Sequence, residues 1–316
     1  MKIQVAVMMV VALLGVASLQ AAEPRAKPTK PTKPAARAPQ KPVEPAVAPT
    51  TAPADGLTLD LGGGVKMLLA KIPAGKFMMG SPENEKARST DEGPQHEVTL
   101  SKPFFMGLFP VTQGQYQQVM GDNPSVAAKG PEYPVDNVPW EMAVAFCKKM
   151  SAKTGKTVRL PTEAEFEYAT RAGTTTRYYY GDDPDYKLMG DHAWWFKNCK
   201  NDLQPVGLKK PNPWGLHDVY GIVWQWCSDW YGDTYPSGKQ TDPQGPATGQ
   251  YRVLRGGCWL TGAHTMDDKV GRMLSRSALR GVPSFYRYFP PGSAAKLGRE
   301  YDQVGRIGFR VVVEAK

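Results

Sequence analysis

The sequence predicts one α+β domain in which a few short helices and strands support a large share of irregular structure. Helix-start signals are confined to residues 112–173, and the 143 residues that follow show neither the helical nor the strand period. In residues 214–231, four tryptophans fall within 17 positions among glycine, aspartate and short apolar pairs. We interpret this stretch as a packed core that is rich in loops.

Segments that favour strands come first in the folded part. Residues 72–80 are expected to form a strand that turns at Gly75 and ends at Gly80. Residues 97–100 and 104–108 are expected to form two more strands, since β-branched and aromatic residues are frequent there.

Three short helices follow. Thr112 with Gln115 and Thr162 with Glu165 have the spacing of a capping box, so each pair predicts a helix start. Residues 140–154 form the third predicted helix, entered after Pro139. A glycine follows each predicted helix: Gly121, Gly155 and Gly173.

The chain begins with two segments unlike a folded domain. Residues 1–22 combine Lys2, an apolar run and small residues, which is typical of a signal peptide. Residues 23–54 hold nine prolines, six basic residues and no aromatic residue, so we expect a disordered linker before a domain at 55–316. The protein is therefore expected to be exported, to the periplasm or the medium, without a permanent membrane span.

Charge argues against nucleic-acid binding. Of the net charge of +9, Lys2 contributes +1 and residues 23–54 contribute +4 (six basic minus two acidic), which leaves +4 for residues 55–316. No basic stripe is visible in that folded part. The four histidines are too dispersed along the sequence to predict a metal or triad motif.

The four cysteines leave their redox state open. In an exported protein they could form two disulfides in three connectivities. We expect Cys147 to be a buried free thiol, because it shares a helical stripe with Trp140, Ala143 and Met150.

Eight ordered motifs identify a family resemblance. They are residues 72–80, Pro110-Val-Thr112, Pro139-Trp140, residues 159–168, Gly215-Leu-His-Asp218, Trp224-Gln-Trp226, Arg255-Gly-Gly257 and Gly308-Phe-Arg310. Residues 57–313 thus resemble the formylglycine-generating enzyme, or sulfatase-modifying factor, family. The resemblance implies a single domain related to C-type lectins.

The same resemblance implies a copper chemistry that this chain does not support. Active members oxidise a sulfatase cysteine to formylglycine with oxygen and a copper ion held by two thiolates, which as soft ligands select Cu(I). The resemblance places those two cysteines at Thr261 and Met266, and no cysteine follows Cys258. We therefore expect no copper-thiolate site.

Two residues remain candidates for a catalytic role in the reaction cleft that the resemblance implies. Cys258 is interpreted as structural, either a small buried residue or half of a disulfide with Cys227; the alternative is a functional thiol that binds metal or is oxidised. Trp224 is the candidate cleft residue, whereas Trp226 is expected to pack in the core.

The resemblance also implies a calcium site. Its ligands would come from Asp218, Gly221, Val223 and Gln225, with side-chain oxygens at the ends and backbone carbonyls between them. Gln225 replaces a glutamate of the family, so one negative charge is missing and calcium affinity should fall. The alternative is that Asp218 caps a turn.

The remaining candidate binding residues lie toward the C-terminus. They are Trp259, His264, Arg276 and Arg280, with Arg310 favoured as a structural partner of a buried acid. A different copper site from Cys258, His264, Met266 and Met273 is chemically conceivable, but packing is the favoured interpretation.

Three functions remain open. The favoured one is a monomeric member without the oxidase activity that binds an unknown protein or small molecule through the C-terminal cleft and loops. Those loops are rich in aromatic residues and arginine, as recognition surfaces are, and some relatives of this fold display variable binding residues there. The alternatives are an exported oxidoreductase, formylglycine-generating or related, and a structural module of the cell envelope.

Overall fold

A computed structural model describes residues 48–85, 88, 90–127, 130–200, 202–259, 280–283 and 306–315, with the backbone alone at 280–283. All of these residues fall within one compact unit, Glu44–Lys316. Ala52, inside the predicted linker, packs against a core cluster of that unit. Among the described residues, no helix has the length and apolar character that crossing a bilayer requires.

The largest sheet joins the start of the domain to its end. Its strand order is β1 (Leu57–Asp60), β2 (Lys66–Ile72), β5 (Phe104–Gly107), β12 (Val312–Glu314) and β6 (Val158–Arg159), and every neighbouring pair is antiparallel. Because β12 lies between β5 and β6, the last described strand is paired along both of its edges. This arrangement fixes Arg310, two residues before β12, deep in the protein.

Two smaller sheets complete the described architecture. One has the order β10 (Arg280–Pro283), β9 (Tyr251–Arg255), β7 (Trp224–Trp230) and β11 (Ile307–Gly308), and β11 runs parallel to β7. The other has the order β3 (Gly75–Met79), β4 (His96–Leu100) and β8 (Gln240–Thr241). The predicted strand over residues 72–80 is thus two strands, separated by Pro73 and Ala74.

The described helices are short, as the sequence predicted. They are α1 (Gln113–Met120), α2 (Trp140–Thr154), α3 (Glu163–Arg171) and the single turn α4 (Met189–His192). Both arms of the capping box form at Thr112 with Gln115 and at Thr162 with Glu165. The two glycines after α1 and α2 adopt the left-handed conformation that ends these helices.

The tryptophan-rich stretch contributes to the packed core, as expected, but only part of it is loop. Residues 214–223 are irregular, but Trp224–Trp230 form β7, a central strand. Its first four residues, Trp224 to Cys227, are all buried, so the polar–apolar alternation expected of a strand is absent. A strand covered on both faces has no period-2 signal, which is why the sequence pattern did not reveal it.

Candidate functional site

The Asp218 loop is held in an unusual backbone conformation. Asp218, Gly221 and Ile222 all have positive φ, at 54°, 73° and 59°. A Cβ at position 221 would overlap the carbonyl oxygen of Trp194, so glycine is required there. The loop is bonded on two sides: Ile222 N donates to Trp194 O at 3.0 Å, and Gly221 N donates to Gly256 O at 2.8 Å.

Arg310 lies beneath this loop with no exposed surface. Its Nε donates to Gln225 Oε1 at 2.7 Å. Its Nη1 donates to Gly107 O at 2.8 Å and Leu108 O at 3.3 Å, and its Nη2 donates to His217 O at 2.7 Å and Asp218 O at 3.2 Å. Burial lowers the pKa of Arg310 to about 9, while the nearby Asp218 opposes that change. The guanidinium is therefore a cation at physiological pH that gathers four backbone carbonyls and one amide oxygen.

Asp218 presents a buried carboxylate with one oxygen in use. Its Oδ2 accepts a hydrogen bond from Gly207 N at 2.6 Å, whereas its buried Oδ1 has no hydrogen-bond partner among the described residues. Burial raises the pKa of Asp218 to about 6, and the Gly207 N–H and the charge of Arg310 partly offset this rise. The unpartnered oxygen is the feature of this loop that a cation could use.

The residues that the resemblance assigns to calcium do not fit a calcium ion held by all four of them. The only side-chain oxygen of Gln225 accepts from Arg310 Nε, and Gln225 Nε2, a donor, points at Asp218 O at 3.0 Å. Asp218 Oδ1 is then the one side-chain oxygen left among Asp218, Gly221, Val223 and Gln225, and calcium requires six to eight oxygen ligands. In the part of the chain that the structure describes, no three acidic, histidine or cysteine side chains converge as a metal site.

Cys258 and Trp224 lie in the main core cluster. Cys258 has no exposed surface, and Trp224 and Trp226 are each 1% exposed. Trp226 Nε1 donates to Val138 O at 2.7 Å, which explains how an indole is accommodated there. Trp224, expected to line a cleft, is thus as deeply buried as Trp226.

All four cysteines are buried, and none is in a disulfide. Cys147, Cys199, Cys227 and Cys258 form no disulfide, so the Cys227–Cys258 pairing weighed above is not formed. Burial raises the pKa of Cys147 to about 12, and burial with the acids near it raises the pKa of Cys227 well above its ordinary value. Neither thiol is therefore suited to nucleophilic or metal-binding chemistry.

Trp259 is the last residue that the structure describes before residue 280, and it is 7% exposed. It packs with Ile222, Val223 and Cys199 in a separate apolar cluster, and Arg306 Cζ lies 5.1 Å from its ring centroid. The Trp259 Nε1 donor is buried and has no hydrogen-bond partner. Thr261, His264, Met266 and Arg276 lie outside the described residues, and of Arg280 the structure describes only the backbone, at the start of β10.

Several charged motif residues that could be taken for catalytic groups are held in buried ion pairs. Arg255 Nη2 contacts Glu167 Oε2 at 2.6 Å, and Glu167 Oε1 contacts Arg171 Nη2 at 2.6 Å. Arg255 Nη1 also lies 3.4 Å from Glu163 Oε1. Arg255 of the Arg-Gly-Gly motif thus connects β9 to α3. Because Arg255 and Glu167 are 88 residues apart in the sequence, no local pattern predicted this ion pair.

Comparison with known proteins agrees with this architecture. Residues 66–315 match the family model of the sulfatase-modifying factor enzyme 1-like domain. The serine/threonine-protein kinase Pkn1 of Chlamydia caviae is 37% identical over 217 residues, which are 60% of this chain and 32% of that protein. The formylglycine-generating enzyme of Streptomyces coelicolor is 41% identical over 145 residues, which are 41% of this chain and 43% of that enzyme. The chain thus spans a third to a half of these relatives.

Two solved structures share the fold over most of the chain. Treponema denticola variable protein 1 is 26% identical with a TM-score of 0.66, over 83% of this chain and 99% of that one. PvdO from Pseudomonas aeruginosa is 26% identical with a TM-score of 0.63, over 82% of this chain and 98% of that one.

Restoring the acid at position 225 should create a dependence on calcium. In Gln225→Glu the hydrogen bond to Asp218 O is lost and two carboxylates lie near each other, so the melting temperature should fall in EDTA and rise with calcium. The wild-type melting temperature should be the same in EDTA and in millimolar calcium. The exposed variant Gln244→Glu serves as the control for an added acid. A calcium-dependent wild type would contradict this interpretation.

Asp218 should make stability fall as pH rises through the acidic range. Its folded-state pKa of about 6 exceeds the ordinary value of 3.8, so the folded protein binds the proton more tightly between these values. Relative to Asp218→Asn, the wild type should lose about 2 kcal/mol of unfolding free energy between pH 4 and pH 7. Urea denaturation across this range measures the difference. Asp191→Asn is the control: Lys210 lowers the pKa of Asp191, so this variant should lose a contribution to stability that rises with pH. If the unfolding free energy changed equally with pH in the wild type and in Asp218→Asn, the raised pKa of Asp218 would be excluded.

Proposed function

The chain belongs to the sulfatase-modifying factor enzyme 1-like family, and from that premise we propose that it is an exported binding protein without the copper-thiolate oxidase activity. Thr261 and Met266 carry this proposal, because they stand where the resemblance places the two copper-binding cysteines. A threonine hydroxyl is a hard ligand and a methionine thioether is neutral, so neither replaces a thiolate that holds Cu(I).

The cysteines that are present do not supply a substitute pair. The last cysteine in the sequence is Cys258, which has no exposed surface and forms no disulfide. Cys227, the nearest in sequence, has its pKa raised by burial and by Asp229. A bis-thiolate copper site would require two accessible, ionised sulfurs, and these two residues do not meet that requirement.

The proposal assigns recognition to the C-terminal segment that begins at Trp259. Aromatic residues and arginines are frequent from Trp259 to Arg306, and this composition is enriched at the centres of protein interfaces. The buried indole N–H of Trp259 without a partner adds one donor that a ligand acceptor would satisfy. The ligand is a protein or a small molecule that reaches this face after export through the signal peptide at residues 1–22.

A peptide oxidation assay tests the proposal. The purified chain, loaded with Cu(I) in the presence of oxygen, should leave a Cys-x-Pro-x-Arg peptide unchanged by mass spectrometry. The Streptomyces coelicolor formylglycine-generating enzyme provides the positive control. Conversion of the thiol to an aldehyde by this chain would overturn the proposal and support the oxidoreductase alternative.

A further inference from the structure

A cavity lies apart from the Asp218 loop and from Cys258. It has a volume of about 250 Å³ and lies among the start of α3, the end of β7 and the segment that follows β7. Its polar lining includes His96, Glu163, Asp229, Tyr235 and Gln240, and its apolar lining includes Met79, Ala164 and Trp230. A cavity of this volume is below the usual range for drug-sized ligands, so its occupant would be small.

His96 supplies a buried acceptor to this cavity. The side chain is 5% exposed, and Nδ1 lies 3.0 Å from Pro94 O. A carbonyl oxygen only accepts, so Nδ1 carries the hydrogen and Nε2 of the neutral ring carries a lone pair. The ring is fixed against Tyr235 at a centroid distance of 5.2 Å. No described residue donates to Nε2, so this ring nitrogen is available to a ligand in the cavity.

Asp229 supplies the charge. Its Oδ2 accepts from Glu163 N at 2.9 Å and from Ser228 Oγ at 3.0 Å, and no described residue donates to Oδ1. Burial and the neighbouring Glu163 raise the pKa of Asp229 to about 7. A carboxylate that is costly to ionise gains most from a bound cation.

The other buried acids of this region are already compensated. Glu163 Oε1 accepts from Tyr235 OH at 2.9 Å and lies 3.4 Å from Arg255, while Glu167 contacts both Arg255 and Arg171. Two arginines thus balance two glutamates. Among the described residues, Asp229 forms no ion pair within 4.0 Å, so it is the acid that lacks a direct counter-ion.

The arrangement selects the type of cation. In the described part of the chain no three histidine, cysteine or acidic side chains converge to hold a metal ion. The free atoms of His96 and Asp229 are acceptors, so the ligand must donate several hydrogen bonds and carry positive charge. The apolar wall formed with Met79 and Ala164 favours a short hydrocarbon chain behind that charged group.

We propose that this cavity binds a small protonated primary amine, whose ammonium group donates to Asp229 Oδ1 and His96 Nε2. The three N–H groups of an ammonium ion match two acceptors within one cavity and leave a third for water. Charge complementarity excludes small anions, and an alcohol of the same length lacks the charge that Asp229 requires.

Titration calorimetry of the full chain with n-butylammonium chloride tests this site, with 1-butanol as the uncharged probe. Butylammonium should bind saturably and at least about 10-fold more tightly than 1-butanol. Asp229→Asn should weaken butylammonium binding about 10-fold or more, and His96→Phe, which keeps a ring against Tyr235, should weaken it several-fold. Asp191→Asn, at an exposed acid paired with Lys210, is the matched control and should bind as the wild type does.

A further variant keeps the test decisive if Asp229→Asn fails to fold. Thr234 is exposed and lines the cavity, so Thr234→Trp should fill part of the cavity and abolish binding while the melting temperature stays unchanged. Absence of saturable binding to the wild type, equal binding of 1-butanol, or full affinity in folded Asp229→Asn or Thr234→Trp would overturn the proposal. None of these outcomes depends on the peptide oxidation assay.

Discussion

The structure depends on one buried cation. Arg310 has no exposed surface, and its guanidinium connects the end of β5, the Asp218 loop and β7 through Gly107, His217 and Gln225. Each of these groups is a buried backbone carbonyl or amide oxygen, and a buried acceptor that loses its donor costs about 1–3 kcal/mol. Three residues of this loop have positive φ, and the N–H groups of Gly221 and Ile222 donate to carbonyls outside it. A fixed donor set from the protein itself therefore takes the organising role that the family resemblance assigns to calcium.

The burial of α3 explains its ion pairs. The helix is short, yet all nine of its residues are buried. Its glutamates could not be desolvated without partners. Arg255 and Arg171 pair with Glu163 and Glu167, and Arg159 pairs with Glu165. In this chain the Arg-Gly-Gly motif beside Cys258 is therefore a structural connection between β9 and α3. If Thr261 and Met266 stand at the copper-binding positions, as we propose, the family framework and the copper chemistry are separable.

Local signals in the sequence predicted local structure correctly. The capping boxes at Thr112 and Thr162 fixed two helix starts, because both partners of each box lie three residues apart. Strand β7 was missed because burial on both faces removes the alternation that marks a strand. The partners of Arg310 were also missed: the sequence suggested a buried acid, whereas the guanidinium donates to carbonyls that every residue possesses. The amine-sized cavity was equally invisible, since His96 and Asp229 are 133 positions apart.

The central claim is that Arg310, and not a metal ion, holds the Asp218 loop. The most direct test is the unfolding free energy of Arg310→Lys, which keeps the charge but lacks the planar set of five donors. The account predicts a loss of about 3 kcal/mol or more that calcium does not restore, whereas Arg159→Lys, at a partly exposed ion pair, should lose about 1 kcal/mol or less. An Arg310→Lys protein as stable as the wild type, or one rescued by calcium, would contradict it.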